Sequence, residues 1–146
     1  MNTYVFVYGT LKDGFCNNSC LHRYTTSKLI SKGSTLKSYG MMDLGAFPAI
    51  NIDVSISTIQ GEVFEVTSET LLKSLDMLEG YPDFYNRMEV PIVLDGGETV
   101  LAWMYYLNNT STYKNIFITN GQWIEDRYIH TKFIEHPPKR INTYEK

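Results

Sequence analysis

The chain predicts an α+β domain, a small set of mostly antiparallel strands flanked by helices, and three observations carry that prediction. Short segments rich in β-branched and aromatic residues recur between Gly, Pro, Asn and Asp, as strands do. Two of them, residues 87–94 (RMEVPIVL) and 99–106 (TVLAWMYY), are joined by Asp95-Gly96-Gly97-Glu98, a strong hairpin signal. One helix is well marked at residues 71–79, where Leu71, Leu72, Leu75 and Leu78 fall at the offsets of a single apolar stripe. Closing the strands into a small barrel would remove their edges.

In chain order, residues 3–8 (TYVFVY) read as a buried first strand that ends at Gly9. Gly9-Thr10-Leu11-Lys12-Asp13-Gly14 forms the turn after it. Residues 17–30 allow a short helix, with Leu21, Tyr24, Lys28 and Leu29 spaced for one and Gly33 breaking the pattern beyond it. Residues 34–42 suit a strand. The stretch 43–50 (DLGAFPAI) suits a loop packed over something, because it mixes Gly and Pro with apolar residues. Gly61–Val66 (GEVFEV) is a strand by alternation. Thr67 or Ser68 then caps the helix, with Glu69 in its first turn, and Gly80 stops it. Pro91 places the 87–94 strand at an edge or a bulge. Trp123, Ile124 and Tyr128 suggest a helix within 113–129, preceded by a turn at Asn120-Gly121. No linker or internal repeat divides the chain, so residues 1–135 read as a single domain and 136–146 as an extended tail.

A chain of 146 residues with 43% hydrophobic content can bury a working core without disulfides or metal. Its net charge of −3 provides no global basic footprint, which argues against nucleic acid as a partner. The sequence carries no signal peptide and no apolar run long enough to span a bilayer, so the expected compartment is the cytoplasm, away from membranes. The two cysteines, Cys16 and Cys20, read as free thiols, and His22, His130 and His136 do not complete a metal set with them. No metal is expected. A small acidic chain of this kind reads as a monomer or weak dimer.

Two features point to chemistry. Glu79 follows Leu75 by four residues, on the inward side of the helix end, where a carboxylate either reaches water or is partly desolvated. A desolvated one has a raised pKa, suited to proton transfer near neutral pH. At the other end of the chain, Gly9 lets the backbone turn as it leaves the strand, so that the N–H groups of Gly9, Thr10 and Leu11 can converge on an anion. Around these, Tyr85 borders a pocket or fills the core, Arg87 pairs with a nearby acid, and Phe47 or Pro48 lines a wall. Glu62 and Glu65 read as solvated strand positions. Asp76, on the outer face, and Asp83, in the turn, are awkward bases.

The segments VFVYGTLK at 5–12, DLGAFPAI at 43–50, GEVFEV at 61–66 and LDMLEGYPDFYNR at 75–87, in this order and spacing, resemble the γ-glutamylcyclotransferase-like family, also called AIG2-like or BtrG-like. Within it the γ-glutamylamine cyclotransferase branch is most similar. The resemblance covers roughly residues 3–106 and implies a small mixed β-barrel with flanking helices. It further implies cleavage of a γ-glutamyl amide by internal attack of the α-amine, which yields 5-oxoproline and a free amine without metal or cofactor. The family's anion-binding turn falls on Tyr8, Gly9, Thr10 and Leu11, and its catalytic acid/base on Glu79. The expected partner is a small γ-glutamyl amine. A γ-glutamyl amino acid or peptide, glutathione included, is the alternative within this chemistry, and a noncatalytic binding protein on the same fold is the alternative outside it.

Overall fold

The computed structural model describes residues 2–9, 28–68, 75–107 and 109–140. Five strands form a closed barrel in the order β1 (Asn2–Val7), β5 (Gln60–Thr67), β2 (Lys28–Thr35), β6 (Tyr85–Leu94), β7 (Thr99–Leu107). Every ladder is antiparallel except the closing one, where β1 runs parallel to β7 with Val5 opposite Trp103. The barrel is therefore mixed and mostly antiparallel, as expected. A second sheet of four strands, in the order β4 (Pro48–Asn51), β3 (Gly40–Asp43), β8 (Ile116–Ile118), β9 (Thr131–Phe133), packs alongside.

The near-continuous apolar run of β1 is explained by burial on both faces. Phe6 joins one core cluster with Val63, Val90, Ile92, Ala102 and Met104, whereas Val5 and Val7 join another with Phe64, Val66, Leu75, Tyr105 and Leu107. Successive residues of β1 and β7 thus feed two cores. The 94–99 hairpin forms as read: the Leu94 N–H donates to the Glu98 carbonyl at 2.7 Å, and Val93 lies opposite Thr99. Pro91 lies one residue beyond Ile92, where the β2 ladder ends, so the missing N–H costs no ladder bond there.

Several expectations are corrected. The single strand over 34–42 is two strands in two sheets, β2 ending at Thr35 and β3 starting at Gly40. The 43–50 stretch is not a loop throughout, since Pro48–Asn51 pairs with β3 as β4. The 17–30 helix falls mostly outside the described residues, and Lys28 onward is β2. The turn at Asn120-Gly121 forms as read, but the helix within 113–129 is absent: β8 precedes the turn and a 3-10 turn at Arg127–His130 follows it. Long-range contacts override the helical spacing. Gly121 adopts φ +68°, its carbonyl accepts the Gln60 N–H at 2.8 Å, and Trp123 stacks under the Arg127 guanidinium, 3.6 Å from the ring centre.

A Cβ at Gly121 would sit 2.0 Å from the Thr58 carbonyl oxygen, in a backbone conformation unfavourable to L side chains. Gly121→Ala is expected to destabilise the fold by more than about 1 kcal/mol, measured by urea unfolding. The tail is docked in its first part. Val54 bridges to Lys139, the Ser55 N–H donates to the Pro138 carbonyl at 2.9 Å, and the Arg140 guanidinium reaches the carbonyls of Ile52 and Ser38.

Candidate active site

The only α-helical segment fully within the described residues is short, α1 (Asp76–Glu79), preceded by a buried Leu75. The start of the expected helix, with Glu69, Leu71 and Leu72, lies outside them. Gly80 ends α1 in the left-handed conformation at φ +67°, and backbone N–H groups return to the Asp76 and Met77 carbonyls. Leu75 and Glu79 share a side, as read. Leu78 does not join them; it is 44% exposed, because α1 lies against the barrel along Leu75 and Asp76.

Glu79 is partly buried at the end of α1, and burial pushes its carboxyl up from 4.5 to about 7. Three tyrosines, one just after β1 and one each in β6 and β7, feel its charge. Tyr8 follows β1, Tyr85 opens β6 and Tyr105 lies near the end of β7. All three are buried, and burial is the main reason their hydroxyls ionise far above the ordinary range. Each phenol spends its one proton on another acceptor. Tyr8 donates to the Tyr105 carbonyl at 2.8 Å, Tyr85 to the Pro48 carbonyl at 2.8 Å, and Tyr105 to Asp76 Oδ1 at 2.5 Å. Toward Glu79 or a bound molecule they therefore offer acceptor lone pairs. A protonated Glu79, an ammonium or an amide N–H suits such surroundings.

Gly9 is buried after β1, and a Cβ there would come within 2.8 Å of Pro48 Cγ. Its φ is not in the left-handed region. Glycine serves here for the close approach of the β3–β4 hairpin rather than for a special turn. Thr10 and Leu11, expected to complete the anion-binding turn, lie outside the described residues, as do Cys16, Cys20 and His22. Pro48 thus touches both ends of the site, against Gly9 by packing and against Tyr85 by its carbonyl. A groove of about 480 Å³ runs along Asp43, Leu44, Gly45, Tyr113, Lys114, Ile116 and Thr131. Tyr113 links this groove to Tyr85, since it lines the one and lies within electrostatic reach of the other.

Tyr8, Gly9, Tyr85 and Glu79 are therefore brought to one place. Two acids depart from expectation. Asp76 is not on the outer face: it is 6% exposed and bound to Arg87 and Tyr105. The signal for it is present in the sequence, since Asp76 and Glu79 are three apart and share a helix side. Glu62 is buried between β1 and β2 rather than solvated, whereas Glu65 is half-buried. Tyr105 and Tyr113 join the site without any local sequence pattern that marks either as a site residue. Among the described residues, no three His, Cys, Asp or Glu side chains gather as a metal site. No described helix is long and apolar enough to cross a membrane.

Comparison with known proteins defines the class. The family model described as gamma-glutamyl cyclotransferase, AIG2-like, matches residues 5–125, and the chain belongs to this family, whose enzymes form 5-oxoproline from small γ-glutamyl compounds. The match extends past residue 106, where the motifs read from the sequence stop. Among particular relatives, a Methanocaldococcus jannaschii protein that bears the gamma-glutamylcyclotransferase name provisionally is 45% identical over 103 residues, covering 70% of this chain and 82% of its own. The Bos taurus gamma-glutamylaminecyclotransferase is 33% identical over 114 residues, covering 75% of this chain and 66% of its own. The crystal structure of an AIG2-like protein from Mus musculus shares the fold, with a TM-score of 0.71 at 21% identity, over 92% of this chain and 97% of that one.

Proposed function

We propose that the protein is a γ-glutamylamine cyclotransferase, with Glu79 as general acid/base. The observation that carries this reading is a carboxyl titrating at about 7 among three tyrosines whose protons are committed elsewhere. The α-amine of a γ-glutamyl amide is mostly protonated at neutral pH and cannot attack until it loses a proton. Ionised Glu79 takes that proton, and the amine nitrogen attacks the γ-carbonyl carbon of the same molecule. Glu79 returns the proton to the departing nitrogen as the amide C–N bond breaks, then takes the second proton from the ring nitrogen, which leaves 5-oxoproline, and that proton departs with the free amine as its ammonium. The turn at Tyr8, Gly9, Thr10 and Leu11 holds the α-carboxylate, so the substrate is kept folded in a near-attack shape, where an intramolecular reaction gains most. Tyr85 borders the reacting carbon, and the groove lined by its electrostatic neighbour Tyr113 takes the leaving amine.

The second reading is a γ-glutamyl amino acid or peptide as substrate. Lys114 on the groove favours it, because a leaving group with its own carboxylate would meet an ammonium beyond the reacting bond. Lys114→Met should raise KM about three- to tenfold for γ-glutamyl peptides, and leave it unchanged for γ-glutamyl amines without a carboxylate. The test of function is 5-oxoproline release, measured by mass spectrometry, from a panel of γ-glutamyl amines and γ-glutamyl peptides. Release from any member supports the cyclotransferase reading, and the preferred member names the branch. No release from the whole panel would favour a noncatalytic binding protein on this fold.

A further inference from the structure

Glu79 ends the described part of its helix, between Leu75 and the turn at 80–84. A base that must meet one substrate nitrogen needs that short segment fixed. The structure contains a clasp that fixes it at both ends. At the leading end, Arg87 Nε donates to Asp76 Oδ1 at 2.8 Å and Nη2 to Oδ2 at 3.1 Å, a two-point grip that sets direction as well as distance. At the trailing end, the same guanidinium lies 4.5 Å from the centre of the Tyr81 ring. It also lies 4.4 Å from the centre of the Trp103 ring of β7. Arg87 itself belongs to β6, opposite Tyr105 of β7, and the Tyr105 hydroxyl adds a third bond to the Asp76 carboxylate at 2.5 Å.

We propose that Arg87 is a positioning residue for the reaction, holding the 76–81 segment against β6 and β7 so that Glu79 meets the substrate amine. Tyr105 joins this clasp to the opposite wall of the site, because its backbone carbonyl accepts the Tyr8 hydroxyl. The clasp thus ties the segment that bears the base to the turn that is to hold the substrate carboxylate. The inference rests on the assignment of Glu79 as the base. Among the described residues, the titratable groups that feel the charge of Glu79 are Tyr8, Tyr85 and Tyr105, and Asp76, three residues before it on α1, is paired with Arg87. Lysine at position 87 keeps the charge of that pair and loses the two-point grip.

The experiment compares wild type, Arg87→Lys, Tyr105→Phe and Glu79→Gln on the γ-glutamyl compound that wild type turns over fastest, with kcat, KM and the pH profile of kcat measured for each. Thermal melting sets an assay temperature at which all four are folded. Arg87→Lys is expected to lose at least about tenfold in kcat, with KM within threefold of wild type and the acid limb of the profile unmoved, as misplacement of an intact base requires. Tyr105→Phe leaves no charge unpaired and reports on the clasp even if Arg87→Lys does not fold; it is expected to lose about threefold or more in kcat with the same KM. If the folded variants keep kcat within twofold of wild type, or lose only substrate affinity, Arg87 does no positioning and the inference is overturned. Glu79→Gln separates the two claims: activity retained in that variant sinks the assignment of the base itself.

Discussion

Glu79→Gln is expected to lower kcat/KM by about 10²–10⁴-fold and, at pH 8, to make the protein more stable. The activity loss follows from removing a positioned base, which typically contributes that much. The stability gain follows from linkage. The folded pKa of Glu79, about 7, lies above the ordinary 4.5, so the folded state binds the proton more tightly than the unfolded one. Stability from this group is therefore fully present below pH 4.5, is lost as pH rises to about 7, and stays lost above it. Glutamine never ionises, so the variant avoids the loss. At pH 8 it should gain about 1–3 kcal/mol over wild type in urea unfolding, with the difference vanishing by pH 4.5. A loss of stability at pH 8 would mean that the ionised carboxylate is well satisfied and its pKa ordinary. In wild type the same titration should place the acid limb of the kcat/KM profile near pH 7.

Asp76→Ala is expected to do the opposite, destabilising the fold by about 3–5 kcal/mol. The two carboxylates are three residues apart on one short helix, but their surroundings differ. Asp76 accepts three hydrogen bonds, two of them from a guanidinium with only 9% of its side chain exposed. Its removal strands that cation beside Tyr81 and Trp103 and takes the acceptor from the Tyr105 hydroxyl. Chemical unfolding at pH 7 measures the effect. Asp76→Ala with Arg87→Met should recover part of the loss, because an apolar pair leaves no charge behind. A single variant as stable as wild type would mean that the ion pair adds nothing beyond its desolvation cost.

These paired outcomes show where sequence reading succeeds. Glu79 is legible as an acid on the inward side of the helix end, because a four-residue spacing from Leu75 and the Gly80 stop are local and act through backbone geometry. Whether it reaches water or is desolvated was open until the barrel was assembled. For Asp76 the three-residue spacing from Glu79 marks the side of the helix, but not its ion pair, since its partners Arg87 and Tyr105 sit 11 and 29 residues away, on strands whose register nothing nearby records. Leu78 reads as core by spacing, and tertiary packing leaves it exposed.

What the sequence determined by itself was the set of parts: the two-faced β1 strand, the 94–99 hairpin, the Gly80 cap, and the motifs that mark the family. Each depends on alternation, turn chemistry or a fixed motif over a few residues. Only the tertiary structure decided how the parts meet. The parallel closure of β1 on β7, the division of residues 34–43 between two sheets, and the absence of a helix after the Gly121 turn all depend on contacts between distant segments. The same closure brings Tyr8, just after β1, and Tyr85 and Tyr105, from β6 and β7, around Glu79, and the burial that raises its pKa exists only once they are assembled.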